Sequence, residues 1–308
     1  MSEEAVATAR AALGDLAKVD VPLGPRTTYR VGGAAALFVE IRGTDDLAHV
    51  VQAVGASGID VLIVGKGSNL LVNDAGFPGV AVTLGEGFGT VEVRGHAVRA
   101  GGAASLPIVA RRSVREGLTG FEWAVGVPGT IGGAVSMNAG GHGSEMANVL
   151  GRARIVDFRT AVDAVLPAAD LDLGYRHSNV RREQVVVWAD LELTPGDRAK
   201  GELELAEIVA WRRTHQPGGQ NAGSVFANPP GDSAGRLIDA AGCKGLRIGS
   251  AEVSTKHANF FQADASGSAD DVYTLMREVR RRVAAESGVW LRPETRLVGF
   301  PALDGPDA

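Results

Sequence analysis

Forty-two of the 308 residues are glycine, and many of them fall in clusters. A cluster marks a place where backbone must turn tightly or approach something closely, because a residue without Cβ takes conformations that other residues avoid. The first such place is the loop GKGSNLL, Gly65 to Leu71. Ahead of it, AAALFVEIRGTDDLAHVVQAVGASGIDVLIVG reads as strand, helix, strand. Thr44 is the expected helix N-cap, Asp45 and Asp46 occupy the first turn, and Leu47, Val50, Val51 and Val54 form the i, i+3, i+4, i+7 stripe of a buried face. The successive N–H groups of the loop suit an anion-binding nest for a pyrophosphate, and they suit a plain structural turn equally well. The loop lacks the third glycine of the dinucleotide fingerprint. A turn and a strand, VNDAGFPGVAVTL, follow where that fingerprint would open a helix, so a standard Rossmann site is disfavoured.

The second cluster, GFEWAVGVPGTIGGAVSMNAGGHGSEM, runs from Gly120 to Met146. Pro128 and Gly129 form a turn, Thr130 is a cap, and IGGAVSMNA is a short helix whose small face permits very close approach by a flat ligand. Tight packing of helix on sheet explains Gly132 and Gly133 as well, but it does not explain why polar Asn138 and His142 follow in another glycine-rich loop. GTVEVRGHAVRAGG, RARIVDF and EQVVVWADLEL are β-rich. Beyond residue 200 the texture changes. ELELAEIVAWRRTHQ is helical, PGGQ breaks it, and DSAGRLIDAAG begins a helix at Asp232 or Ser233 that ends at Gly242. SADDVYTLMREVRRRVAAESG is a long amphipathic helix with Ser268 as cap and Gly288 past its end, while EVSTKHANFF and LRPETRLVGF read as strands. The expected divisions are 1–90, 91–200 and 201–300, with a tail at 301–308, and the third segment is a separate α+β unit.

Composition narrows the function classes. Hydrophobic residues make up 45% of the chain, enough for a sizeable core, and the net charge of −5 is spread along the length. No basic stripe points to nucleic acid. The apolar runs are too short to span a bilayer, and the start MSEEAVATARAALGD lacks the features of a signal peptide. A cytoplasmic protein with a small-molecule partner is expected. It is expected to be a monomer, since no unpaired heptad appears. One cysteine, Cys243, leaves no internal disulfide, no Cys-ligated iron–sulfur cluster and no multi-cysteine zinc site, and no metal site is expected.

GKGSNLLV, AVGVPGTIGGAVSMNAGG, YRHS, NAGSVFANP, GLRIGSAEVSTKHANFF and LRPETRLVG stand in this order at these intervals. Together they resemble the UDP-N-acetylenolpyruvoylglucosamine reductase (UDP-N-acetylmuramate dehydrogenase) family, over nearly the whole chain from about residue 20 to 300. The chain looks like the shorter form of that family, without the insertion carrying a substrate-covering tyrosine loop. The resemblance implies an α+β fold: a vanillyl-alcohol-oxidase-type FAD-binding region of two α+β subdomains, followed by a substrate-binding domain particular to the reductase. It also implies the chemistry. NADPH reduces a non-covalent FAD, and the flavin N5 hydride passes to the enolpyruvyl group of UDP-N-acetylglucosamine enolpyruvate. The resulting UDP-N-acetylmuramate serves bacterial peptidoglycan synthesis.

The same resemblance assigns residues. Ser224 matches the serine that gives the second carbon its proton. A weak acid suffices there because the carbon becomes strongly basic as hydride arrives. Arg176 matches the arginine that holds the substrate carboxylate and stabilises enolate charge, and Glu294 matches the glutamate beside it. Read alone, Ser224 fits a serine satisfying a backbone group better than a proton donor, and either charged residue fits a surface ion pair as well as a site group. Gly65, Gly67, Ser68 and Asn69 match the pyrophosphate loop, and Gly129, Thr130, Gly133, Ala134 and Asn138 the flavin-facing segment. Tyr175, Asn228 and His257 adjoin matched motifs as substrate contacts, with His257 open to a purely structural role. The chain departs from the family at Gly141 and His142, where many relatives carry an aromatic residue, and near His215. A flavin oxidase on the same cofactor fold and a non-catalytic flavin-binding module are the alternatives.

Overall fold

The computed structural model describes residues 3–305, which divide into two compact units. Unit 1 comprises Met1–Val19, Ala36–Gly65 and Pro78–Arg212, and unit 2 comprises Asp20–Ala35, Lys66–Phe77 and Arg213–Ala308. The sequence suggests consecutive segments, whereas the chain changes unit several times. Apolar side chains set this grouping: Tyr29, Val31 and Leu71, from the first quarter of the chain, are buried among residues from the last third.

Helices α1 (Glu3–Leu13) and α2 (Thr44–Ser57) belong to unit 1, and a four-stranded sheet runs in the order Lys18–Pro22, Ala34–Ile41, Phe77–Leu84, Val61–Ile63. The last two strands are parallel, with Val61 opposite Val80. The expected stripe of α2 is buried, Leu47, Val50, Val51 and Val54 packing with Leu37, Val39, Ile41, Val80 and Val82. The expected cap is displaced by one residue. Gly43 is the N-cap and Thr44 the first helical residue, because Asp46 reaches back to accept from Arg42 N at 2.9 Å and closes the helix start itself.

A five-stranded antiparallel sheet follows, in the order Asp163–Pro167, Leu150–Asp157, Gln184–Glu192, Ala97–Gly101, Val91–Arg94. Alternation along a strand sends neighbouring side chains to opposite faces. Val185 and Val187 enter the core under α2, and Val186 enters a second core with Val98, Ala100 and Ile155. Helices α3 (Leu106–Arg115), α4 (Ile131–Met137) and α5 (Arg198–His215) contribute Val109, Val135 and Leu205 to that second core. Both faces of the sheet are thus covered, which explains the uninterrupted VVV run.

Unit 2 carries helices α6 (Ala234–Ala240) and α7 (Ala269–Ser287) and a small antiparallel sheet of Arg247–Ile248, Ala251–Val253 and Phe261–Ala263. Arg296–Val298 pairs in parallel with Leu70–Val72. The caps expected from sequence are formed: Ser233 accepts from Arg236 N, Ser268 accepts from Asp271 N, and Gly288 closes α7 in the left-handed region. Two strand expectations are corrected. EVSTKHANFF is two short strands around a turn, closed by Ser254 N donating to Phe260 O at 2.8 Å and Phe260 N to His257 O at 3.0 Å. LRPETRLVGF is a strand only over Arg296–Val298, since Pro293 lacks an N–H and pairs with Phe226 through an isolated bridge. Among the described residues no helix is long and apolar enough to cross a membrane.

Candidate active site

The segment around Ser224 is extended yet belongs to no regular strand, and two flanking segments of unit 2 hold it. On one side Val225 N donates to Asn259 O at 2.9 Å, and Ser224 bridges Phe260. On the other side Val225 O accepts from Glu294 N at 2.8 Å and Thr295 N at 3.3 Å, while Ala227 N donates to Arg292 O at 2.9 Å. Phe226 is fully buried and meets Phe261 edge-on at 6.0 Å, which anchors the segment from below. Ser224 and Glu294, seventy residues apart in sequence, are therefore tied to one residue, Val225. Both are half-buried. Asn69 joins the same network, its Nδ2 donating to Glu294 O at 2.9 Å and its carbonyl accepting from Arg296 N at 3.0 Å.

Arg176 lies on unit 1, in a tight turn closed by reciprocal bonds between Gly174 and His177 at 3.1 and 3.0 Å. Its φ of +53° lies in the left-handed region, where a non-glycine residue is uncommon and marks a position held by its surroundings. The guanidinium donates to Gly140 O at 3.0 Å and stands 5.0 Å from the Tyr175 ring centroid. Asn138 braces this turn from inside. It is wholly buried, with Nδ2 donating to Gly174 O and Oδ1 accepting from Ala147 N, both at 2.8 Å.

Small residues shape the cofactor candidates. In unit 1, Ile131 N and Gly132 N donate to Ala104 O and Gly102 O, each at 2.9 Å, and Gly133 N donates to Thr130 Oγ1 at 3.3 Å. A Cβ on Gly132 would stand 3.1 Å from Gly102 O, and one on Gly65 would stand 3.0 Å from Thr130 Oγ1. Of the candidates here Gly65 and Gly133 are exposed, whereas Gly129, Thr130 and Ala134 are buried, Thr130 as the cap of α4 and Ala134 in the core. In unit 2, Gly67 has φ +60°, and a Cβ there would meet Arg26 O at 2.4 Å, so the loop carrying Ser68 and Asn69 admits only glycine at that point.

The remaining candidates divide by role. Tyr175 is exposed. Asn228 Oδ1 accepts from Ala234 N at 3.0 Å, which ties it to the start of α6. His257 Nδ1 accepts from Asn259 N at 3.2 Å, and its ring meets Phe260 edge-on at 4.7 Å. Burial, then the Lys244 charge, hold its imidazole below the ordinary histidine range. His142 also has a positive φ, +51°, and packs edge-on against Trp211 of α5 at 5.1 Å. Burial and then Arg212 lower its pKa. Among the described residues no group of three or more His, Cys, Asp or Glu side chains is placed to hold a metal ion, and Cys243 is buried.

Residues 35–161 match the family model of an FAD binding domain, and residues 215–298 match that of the UDP-N-acetylenolpyruvoylglucosamine reductase C-terminal domain. The UDP-N-acetylenolpyruvoylglucosamine reductase of Acidiphilium cryptum is 44% identical over 283 residues, 92% of this chain and 91% of that protein. The reductase of Heliobacterium modesticaldum is 42% identical over 281 residues, 90% of this chain and 89% of that protein. The chain belongs to the UDP-N-acetylenolpyruvoylglucosamine reductase family. The crystal structure of the reductase from Thermus caldophilus, 34% identical, covers 92% of this chain and 99% of its own at a TM-score of 0.80.

As a member of the reductase family the protein is an FAD-containing oxidoreductase of the expected α+β class, an FAD-binding region followed by the reductase's own domain. The glycines at 65, 67 and 132 are needed by the protein's own packing, since a Cβ there would meet Thr130 Oγ1, Arg26 O and Gly102 O in turn. Asn259, in the segment GLRIGSAEVSTKHANFF, is a further residue of the network around Ser224 that its motif does not by itself mark. Its signal is a polar residue directly before the aromatic pair Phe260–Phe261, and only the fold reveals its burial at 2% exposure.

Proposed function

We propose that this protein reduces UDP-N-acetylglucosamine enolpyruvate to UDP-N-acetylmuramate with NADPH, as a cytoplasmic monomer serving peptidoglycan synthesis, without contact to nucleic acid or membrane. The observation that carries this reading is the convergence of Ser224 and Glu294 on Val225, in a chain whose relatives bear the reductase name. Segments 1–90 and 91–200 are assigned to the cofactor, 201–300 to the substrate.

Reduction of the enolpyruvyl C=C bond adds a hydride to one carbon and a proton to the other, with NADPH oxidised to NADP⁺. Non-covalently bound FAD supplies the relay of hydride between the two substrates. Gly65, Gly67, Ser68 and Asn69 hold its pyrophosphate, and Gly129, Thr130, Gly133 and Ala134 give it a backbone surface, with Asn138 bracing the loop behind them. Ser224 Oγ–H gives the proton, and solvent restores it. Arg176 holds the substrate carboxylate through its fork of donors and stabilises the charge that develops on it. Glu294 orients the groups around the reacting carbon. Tyr175, Asn228 and His257 contact the nucleotide sugar.

The test is anaerobic. The yellow protein is bleached with NADPH and mixed with UDP-N-acetylglucosamine enolpyruvate. Rapid return of the oxidised flavin spectrum with formation of UDP-N-acetylmuramate is expected. A flavin that stays bleached until air enters points to an oxidase, and one that NADPH never bleaches points to a flavin-binding module.

A further inference from the structure

We propose that Asn259 is a positioning residue for proton delivery, acting through the backbone of Phe226 to fix where Ser224 presents its hydroxyl. The inference rests on the reading above that Ser224 supplies the proton.

Ser224 sits on a segment with little of its own to hold it. Gly223 before it has φ +76° and is steadied by one bond, Gly223 N to Asn221 Oδ1 at 3.1 Å. Regular sheet pairing is absent at Phe226, whose neighbour across the segment is Pro293, a residue with no N–H to give. Phe226 is fully buried, so its unpaired backbone groups would have no water to turn to. Asn259 supplies both partners from one side chain. Its Oδ1 accepts from Phe226 N at 3.0 Å and its Nδ2 donates to Phe226 O at 2.7 Å. A carboxamide offers an acceptor and a donor side by side at any pH, without having to take up a proton.

The main chain of Asn259 adds a third tie, its carbonyl accepting from Val225 N, and its own N–H is held by His257 Nδ1. Asn259 thus holds the N–H of Val225 and both backbone groups of Phe226, while Glu294 N and Thr295 N hold the Val225 carbonyl from the other side. A hydroxyl that must meet a developing carbanion along one direction loses rate steeply when displaced, about 100-fold for an error near 1 Å.

The experiment separates the two half-reactions in FAD-loaded protein. Asn259→Leu keeps the shape of the side chain but removes both the acceptor for Phe226 N and the donor to Phe226 O, whereas a buried Asp stays protonated and keeps both. Bleaching by NADPH at nearly the wild-type rate is expected, together with reoxidation by UDP-N-acetylglucosamine enolpyruvate slowed about 10- to 100-fold. Combined with Ser224→Ala, the Asn259 change should then add almost nothing, because the group it positions is gone. Reoxidation within about threefold of wild type, or a further full-sized loss on the Ser224→Ala background, overturns the proposal. Wild-type protein that bleaches and is not reoxidised brings down the functional reading instead. Should Asn259→Leu not retain FAD, Asn259→Ser, whose shorter side chain withdraws both groups from Phe226, is measured the same way. If neither variant yields FAD-loaded protein, Asn259 is a folding residue and the proposal falls.

Discussion

Arg176 holds a backbone conformation that glycine would adopt without cost, in a turn braced by buried Asn138. A backbone position kept by its surroundings fixes where the side chain starts, and the proposed carboxylate contact would use both ends of its fork. Arg176→Ala is expected to lower kcat/KM about 100-fold or more, and Arg176→Lys to recover only part of that, because a lysine cannot make the bidentate contact. A lysine variant at the wild-type rate would show that charge alone is needed there. His257 gives a prediction in pH. Its folded-state imidazole titrates below the ordinary range, so the unfolded chain takes up the proton first as pH falls. Whatever stability its neutral form contributes is fully present above about pH 6.5 and declines below it. Thermal midpoints measured between pH 7.5 and 5.5 should therefore fall further for the wild type than for His257→Gln. Parallel curves would mean that the histidine is not held neutral by its site.

At the scale of the element, α7 shows what was legible in the sequence and what was not. Ser268 and Gly288 announce the ends of this helix because each acts within a turn of itself. The other half of its N-terminal cap comes from Asp74, 194 residues before Ser268, and no local pattern connects them. Asp74 accepts from Ser268 Oγ at 2.6 Å, from Ala269 N at 3.0 Å and from Asp270 N at 3.1 Å. It satisfies donors left open by the first turn and places negative charge at the positive end of the helix. Asp74→Ala is expected to lower stability by about 1–2 kcal/mol in urea unfolding, and Asp74→Asn by less, since the amide oxygen still accepts. The same contrast runs through the candidate site. Glycine loops and the serine motif were readable one by one, whereas the meeting of Asn69 with Glu294 across 225 residues was visible only in the fold.

For the whole molecule, this non-local wiring decides which pieces of chain fold alone. Read as a sequence, the last third looks self-sufficient, with its own helices, caps and short strands. Its core nevertheless takes in Tyr29, Val31 and Leu71, and Arg296–Val298 has its strand partner in Leu70–Val72. A fragment of residues 213–308 would lose these three side chains, that pairing and the Asp74 cap together. Burial of each large apolar side chain stabilises by about 1.5–3 kcal/mol, and a typical domain has only about 5–15 kcal/mol in total. The combined loss is of the same size as the stability itself. The fragment is therefore expected to show helical signal at most, without a cooperative thermal transition or dispersed amide resonances. A fragment that unfolds cooperatively at a midpoint near that of the full chain would mean that the two early segments lie on an independently stable unit, contributing ligand contacts but little to its fold.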